Sequence, residues 1–221
     1  MRLTDFDFLH STENWRQSGR AIGRALAGVK NPLALDLGSF SSPFREKIWS
    51  MGARLISFDI SRDGGRLPDV VGFGEELPFA SDSFDMVLCT QVLEHVSDPW
   101  LVVSEARRVL KPRGVLLLST HGIWIRHGCP NDNWRFTSDG LLALAENFSK
   151  ADVFRQGNNF VGLMQCLNLA IKSRRRPAFL PWRVFRALKS AAYVLPNILG
   201  RLLSGGKSRG LAQNYLLVAK K

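Results

Sequence analysis

The pieces Asp85-Met86-Val87-Leu88-Cys89, Ser97-Asp98-Pro99 and Val115-Leu116-Leu117-Leu118-Ser119 decide the architecture. The first and last are short apolar runs of the kind that form strands buried on both faces. Between them, Ser97-Asp98-Pro99 supplies a helix cap and a proline at the first helical position, where its missing N–H costs nothing. Val102, Ala106, Val109 and Leu110 then recur at i, i+4, i+7 and i+8, with Glu105, Arg107 and Arg108 on the other side. Lys111-Pro112-Arg113-Gly114 reads as the stop. Strand, helix and strand in this order predict a right-handed crossover and parallel pairing.

Outward from this unit the alternation continues. Leu33–Leu37 and Arg54–Asp59 read as strands, Asp69–Val71 as a weaker one, Asp152–Phe154 as an irregular one and Tyr215–Lys220 as the last. Ser11–Val29 reads as a helix with Trp15, Ile22, Leu26 and Val29 on one face, either packed on the sheet or closing over a cofactor. Thr137–Phe148 reads as another helix. The expected fold class is α/β: a doubly wound, mostly parallel, Rossmann-like sheet in a single domain over residues 1–221. Ligands of such sheets bind at the carboxyl ends of the strands. Chemistry is therefore expected in the loops after Leu37, Asp59, Cys89 and Ser119.

The 221 residues suit one sheet-based domain, and 45% hydrophobic with 22% charged residues exclude wholesale disorder. The net charge of +11 is unevenly placed. Lys172 to Lys221 holds 12 basic and no acidic residues, which leaves 30 − 12 = 18 basic against 19 acidic in the rest. A near-neutral body with a basic C-terminal region is unlike a protein that coats nucleic acid over its whole surface. Cys89, Cys129 and Cys166 are odd in number and unclustered, so neither a disulfide framework nor a structural zinc site is expected, and no metal is expected at the site. The stretch Met1–His10 has two Asp and no apolar run, unlike a signal peptide. Ser190–Gly200 is too short to span a membrane. A reducing, cytoplasmic compartment is the expectation.

Ala34-Leu35-Asp36-Leu37-Gly38 is a strand that ends in a carboxylate, followed by a glycine that lets the backbone turn beside a ligand. Asp59 ends the next strand, 59 − 36 = 23 residues on, where a carboxylate can accept ribose hydroxyls. The loop Gly38-Ser39-Phe40-Ser41-Ser42 lacks two of the three glycines that a pyrophosphate needs. A nucleoside cofactor without a pyrophosphate fits better.

Three further segments carry a family resemblance. Gly72-Phe73-Gly74-Glu75-Glu76-Leu77-Pro78-Phe79 runs into Asp82-Ser83-Phe84-Asp85-Met86-Val87; Gln91-Val92-Leu93-Glu94-His95-Val96-Ser97-Asp98 and Arg108-Val109-Leu110-Lys111-Pro112-Arg113-Gly114 follow. In order and in register with the strands, this set resembles class I S-adenosylmethionine (SAM)-dependent methyltransferases over residues 33–120, with a matching final strand at 215–221. The resemblance implies SAM as cofactor. It places Asp36 near the methionine amino group, with Gly38 making room for the methionine portion. It places Asp59 on the ribose, Ile60 against the adenine, backbone around Gly74 and Glu75 at the adenine edge, and Gln91 facing the methionyl portion. Two departures stand out. Phe40 and Ser42 replace small residues of the glycine loop, and Phe73 stands where an acidic residue commonly accepts from the adenine amino group. Each would weaken cofactor binding by about the ~0.5–1.5 kcal/mol of a hydrogen bond.

The loop His121 to Thr137 contains Cys129-Pro130-Asn131-Asp132-Asn133-Trp134-Arg135-Phe136-Thr137. It resembles the His…Pro-x-Asp-Tyr-Trp-Arg-Phe-Thr segment of methyltransferases encoded with bacterial polysaccharide and lipid-linked glycan genes, with Asn133 at the tyrosine position. Methyl transfer to a hydroxyl needs alignment, a dry site and a base. His121 is the first candidate base and His127 the second, while His95 reads as structural. Asp132 and Arg135 either pair to hold the loop or grip a sugar or phosphate. Trp134 either stacks on a sugar or packs in the core.

Residues 172–210 read as a basic amphipathic helical insertion before the last strand. Val184, Phe185, Leu188, Ala191, Ala192 and Leu195 share one helical face, Arg183, Arg186 and Lys189 the other, and Pro196 ends the helix. The face suits an anionic membrane surface or packing on the sheet. Nucleic acid is disfavoured because Cys89-Thr90-Gln91-Val92 lacks the Asn/Asp-Pro-Pro-Tyr type of segment found in enzymes that methylate base amino groups. The expected function is methyl transfer to a small or lipid-linked acceptor, a glycan hydroxyl, at the cytoplasmic membrane face. The alternatives are a quinone- or lipid-type methyltransferase and a non-catalytic binding module of the same fold.

Overall fold

The computed structural model describes residues 2–60, 67–128, 131–204 and 212–221. Its elements in chain order are α1 (Phe8–Leu26), β1 (Leu33–Leu37), α2 (Arg45–Trp49), β2 (Arg54–Asp59), β3 (Val70–Val71), β4 (Phe84–Thr90), α3 (Pro99–Val109), β5 (Leu110–His121), α4 (Ser138–Leu144), β6 (Lys150–Gln156), α5 (Asn159–Ser173), α6 (Trp182–Leu202) and β7 (Asn214–Lys220). The described strands form one sheet in the order β3-β2-β1-β4-β5-β7-β6. Strands β1 to β5 pair in parallel, and β7 runs antiparallel to both β5 and β6. This is the doubly wound α/β sheet that the strand–helix alternation predicts.

Successive side chains of the central strands pack on opposite faces of the sheet, as the two-residue period requires, and both faces are buried. Leu35, Leu37, Val87, Cys89, Leu116 and Leu118 pack on one side with Val102 and Ala106 of α3. Ala34, Met86, Leu88 and Leu117 pack on the other with Ile22 and Leu26 of α1 and Ile48 of α2. Helix α3 starts as its sequence dictates, with the Asp98 side chain accepting from the Leu101 N–H at 3.0 Å and Pro99 in the first turn. The register pairs Leu37 with Cys89 and Thr90 with Ser119, which lines up the carboxyl ends of β1, β4 and β5.

Several boundaries differ from the sequence expectation. The expected stop at Lys111–Gly114 lies inside β5: Leu110 already pairs with Phe84, and a register shift between Phe84 and Met86 takes up the extra residues. Helix α1 starts three residues before Ser11, because Phe8 and Leu9 pack against Val161 and Met164. It ends at Leu26, with Ala27 extended and Gly28 left-handed at φ 76°. Trp15 is half exposed and stacks on Phe44 at 4.8 Å, and Val29 lies exposed past the helix end, so only Ile22 and Leu26 of the expected face are buried. Helix α4 ends at Leu144, short of Phe148.

The basic region is a pair of helices, and the first starts ahead of Lys172. Helix α6 runs through Pro196, which the sequence reading makes its end. Tertiary contacts override the lost helical hydrogen bond there. Pro196 is buried beside Tyr193, Asn197 and Gly200, and the Asn197 amide donates to the carbonyls of Leu3 and Asp5 at 2.7 and 2.9 Å. The expected apolar face is not the buried one: Val184, Leu188 and Leu195 are exposed. Residues 205–210 of the expected insertion lie outside the described residues. Among the described residues no helix is long and apolar enough to cross a membrane.

Candidate active site

The loop after β1 keeps the path of a glycine loop with glycine at only one of three turning points. Gly38, Phe40 and Ser42 adopt φ values of 72°, 38° and 49°. A left-handed conformation costs a non-glycine residue roughly 1–2 kcal/mol, so this strain persists only where contacts hold it. Those contacts are present. The Ser42 hydroxyl and the Phe40 N–H donate to the carboxylates of Asp36 and Asp59, the latter at 2.8 Å. Gly38 admits no side chain, since a Cβ there would lie 2.2 Å from Val92 Cγ2.

Asp36 is buried at the end of β1. Burial lifts its carboxyl to about 6, against the lowering effect of the Ser42 hydroxyl and of Arg45. Ile60 and Phe73 are exposed, as an adenine-contacting surface would be. Gly74 lies against Leu37 and Val102 without a clash, and the Glu75 carboxylate accepts from the Ser97 N–H at 3.2 Å. Gln91, at φ 57°, donates to Ser119 Oγ and Asn214 Oδ1, both at 3.1 Å, and its Oε1 is buried without a partner. A buried carboxylate, a bare glycine and an unpaired amide oxygen suit the amino-acid end of SAM, while Asp59 suits its ribose.

All four histidines of the chain meet near the carboxyl ends of β4 and β5. His121 lies 3.3 Å from Glu94 Oε1 through Nε2, and its Nδ1 is buried without a partner. The other Glu94 oxygen accepts from the Thr120 hydroxyl at 2.7 Å. His121 stacks on Trp124 at 4.6 Å, with His10 at 4.9 Å and His127 at 5.3 Å. His95 sits 4.9 Å from His127 and bonds through Nδ1 to the Asn131 carbonyl. Burial, followed by the neighbouring imidazoles, holds His121 well below the ordinary histidine value. Burial likewise lowers His10 to about 4 and raises Glu94. Burial disfavours the charged form of both partners, which leaves His121 a neutral imidazole beside Glu94.

The loop after β5 is pinned over this cluster. Arg135 grips both oxygens of Asp132 at 2.6 and 2.8 Å and holds that carboxyl down to about 2. The Asn133 and Trp134 N–H groups donate to the Glu94 carbonyl at 2.7 and 3.2 Å, and Trp134 Nε1 donates to the Val96 carbonyl at 3.0 Å. Cys129 and Pro130 lie outside the described residues. Although no metal was expected, donor atoms of Glu94, His121 and His127 lie within 4.8 Å of one another, a set that a divalent cation could occupy.

Sequence reasoning assigns no site role to His10, Glu94, Thr120, Trp124 or Asn214. The signal for Glu94 was present, a carboxylate inside an otherwise apolar strand-end loop. His10 carried none, because it arrives from the far end of the chain. Two surface clefts lie away from the strand ends, one between α1 and β5–β7–β6 and one between α5 and α6.

The sheet order is that of the Rossmann-like fold of class I, SAM-dependent methyltransferases. Residues 35–118 match the family described as methyltransferase domain. An uncharacterised methyltransferase of Mycobacterium leprae is 35% identical over 103 residues, 42% of this chain and 38% of that protein. A ubiquinone biosynthesis O-methyltransferase of Azorhizobium caulinodans is 30% identical over 109 residues, 44% of this chain and 43% of that one. The chain thus spans about two fifths of the length of these relatives. Among solved structures, phosphoethanolamine N-methyltransferase 2 of Haemonchus contortus, in complex with SAM, superposes with a TM-score of 0.59 at 18% identity. That match covers 94% of this chain and 52% of the other.

Proposed function

We propose that the chain transfers a methyl group from SAM to a hydroxyl of a small or lipid-linked acceptor, a glycan hydroxyl, at the cytoplasmic face of a membrane. The observation that carries this reading is the buried Glu94–His121 pair at the carboxyl end of β5, whose Nδ1 has no partner. When bound, SAM supplies a methyl group on a sulfonium centre. Asp36, Gly38, Asp59, Ile60, Gly74, Glu75 and Gln91 hold the cofactor in the loops after β1 to β4. The carboxylates of Asp36 and Asp59 complement its positive charge.

His121 removes the acceptor proton at Nδ1 while Glu94 faces Nε2 and balances the imidazolium that forms, as the acid of a triad does. His127 is the second candidate for this role. Asp132, Trp134 and Arg135 fix the loop that covers the acceptor. Burial by His10 and Trp124 excludes water from the reacting atoms. The glycan assignment draws on the Pro130–Thr137 resemblance. The Azorhizobium relative supports a second reading, a quinone-type acceptor.

Incubation with methyl-labelled SAM and a bacterial lipid extract tests these readings. Label released with the sugar by mild acid is expected. Label retained in the apolar quinone fraction would favour the second reading. Absence of SAM binding by calorimetry at millimolar cofactor would reject both and leave a non-catalytic module.

A further inference from the structure

Helices α5 and α6 lie side by side, and each leaves an apolar stripe in solvent. On α5 the stripe is Phe160, Leu163 and Leu167, at i, i+3 and i+7. On α6 it is Val184, Leu188, Leu195, Leu199 and Leu202, at i, i+4, i+11, i+15 and i+18, with Leu202 74% exposed. Phe179, just before α6, and Trp182, its first residue, are 86% and 60% exposed. The two stripes belong to one surface, because Leu167 and Ile171 of α5 face Leu180, Phe185 and Leu188 across a groove of about 400 Å³. Arg174 and Lys189 also line that groove. Contiguous exposed apolar surface on this scale marks an interaction site.

Charge identifies the partner. Residues 159–202 contain eight basic side chains (Lys172, Arg174, Arg175, Arg176, Arg183, Arg186, Lys189 and Arg201) and no acidic one. Helices with exposed leucines, flanking arginines and a tryptophan at the boundary lie in the interface of an anionic bilayer. The hairpin is held rigid for such a role. Lys189 Nζ donates to the carbonyls of Lys172 and Arg174 at 2.7 and 2.8 Å, closing the α5–α6 connection onto α6.

The inner face of the hairpin is bolted to the roof of the acceptor site. Asn168 donates to Asn197, which donates to the carbonyls of Leu3 and Asp5, and Gln165 donates to the Phe6 carbonyl at 3.1 Å. Leu9 fills the space left by Gly200, where a Cβ would lie 2.6 Å from it. The next residue, His10, covers His121.

We infer that the outer face of the α5–α6 hairpin docks on an anionic lipid bilayer, its groove taking one lipid chain, and that docking holds the roof of the acceptor site a helix layer away from the bilayer. The inference gives the proposed lipid-linked acceptor its route and rests on that reading for its purpose. Its observations are independent of methyl transfer.

The test is flotation of the full chain with phosphatidylglycerol–phosphatidylcholine vesicles and with pure phosphatidylcholine vesicles. Capture by the anionic vesicles is expected to exceed capture by the neutral ones roughly tenfold or more at low salt and to fall at high salt. The exposed triple variant Leu188→Glu, Leu195→Glu, Leu202→Glu is expected to keep its circular dichroism and lose flotation. Equal flotation of that variant, or none of the parent chain, overturns the inference. So does a parent chain that forms dimers in light scattering, abolished by the same variant, without vesicle capture. SAM calorimetry on the same samples separates the two claims: flotation without SAM binding supports docking and rejects the enzymatic reading.

Discussion

Asp36→Asn should stabilise the free protein while loosening its hold on SAM. Asp36 is 1% exposed, and burial lifts its carboxyl from the ordinary 3.8 to about 6. A folded value above the unfolded one means that the fold binds the proton more tightly. The ionised carboxylate therefore opposes folding as pH rises from 3.8 through 6, and the cost is complete above 6. Its size is (6 − 3.8) × 1.36, or about 3 kcal/mol at pH 7.5. The same relation gives about 1.5 kcal/mol at pH 5, where the folded carboxyl is mostly protonated. Asparagine removes the charge and keeps an oxygen for the Ser42 hydroxyl. Its new N–H, lacking an acceptor, takes back about 1 kcal/mol. A net gain of about 2 kcal/mol corresponds to roughly 4–8 °C in Tm for a chain of this length. The assay is thermal unfolding of both proteins at pH 7.5 and pH 5, with SAM calorimetry alongside. The variant should melt higher at pH 7.5, with little difference at pH 5, and should bind SAM at least roughly tenfold more weakly, having lost one charge-assisted contact. A variant that melts lower at pH 7.5, or gains equally at both pH values, would refute the account of Asp36 as a buried, strained charge. Unchanged SAM affinity would refute its place beside the cofactor.

Other consequences are as direct. Gly38→Ala places a Cβ at φ 72° and 2.2 Å from Val92 Cγ2, so it should destabilise by about 2–4 kcal/mol, and Val92→Ala in the same chain should restore the steric part but not the backbone part. Denaturant melts of the two single variants and the double variant check this. His121→Ala should lower turnover by roughly 10²–10⁴ while leaving the SAM dissociation constant nearly unchanged, and full turnover would remove the proposed base. Because His121 is held below the ordinary 6.5, its proton-accepting form persists as pH falls through that value. At saturating SAM the rate should therefore stay flat from pH 8 to below 6.5; a decline centred at 6.5 would count against the buried pair. SAM affinity should fall as pH drops through about 6, since protonated Asp36 no longer complements the cationic cofactor.

The parts of the fold legible in sequence are those set by neighbours along the chain. Val102, Ala106 and Val109 are buried as their spacing requires, and Asp98 caps α3 as its position before Pro99 requires. The boundaries that moved were set from elsewhere in the molecule. Phe8 and Leu9 extend α1 because residues about 150 positions away cover them. The stop at Lys111–Gly114 became a strand irregularity because Leu110 finds a partner in Phe84. Pro196 stays helical because Asn197 is anchored to the N-terminal segment nearly two hundred residues away. No local propensity contains those contacts.

The site divides along the same line. Asp36, Gly38, Asp59 and Gln91 stand at or beside strand ends, and the order of strands in the sequence was enough to place them there. Phe40 and Ser42 read as losses from the glycine loop, yet both adopt the left-handed backbone that favours glycine. Ser42 even supplies the hydroxyl bonded to Asp36, so identity and conformation carried different messages there. The histidine cluster is the clearest limit. His95 follows β4, His121 ends β5 and His127 lies in the loop after it, set side by side by the register of the two strands, and His10 comes from α1. Only the folded chain shows that the residue covering the proposed base belongs to the segment anchored by the basic hairpin. Charge and chemistry, separate in the sequence, meet in the folded chain through the contacts of Leu3, Asp5 and Phe6 with that hairpin.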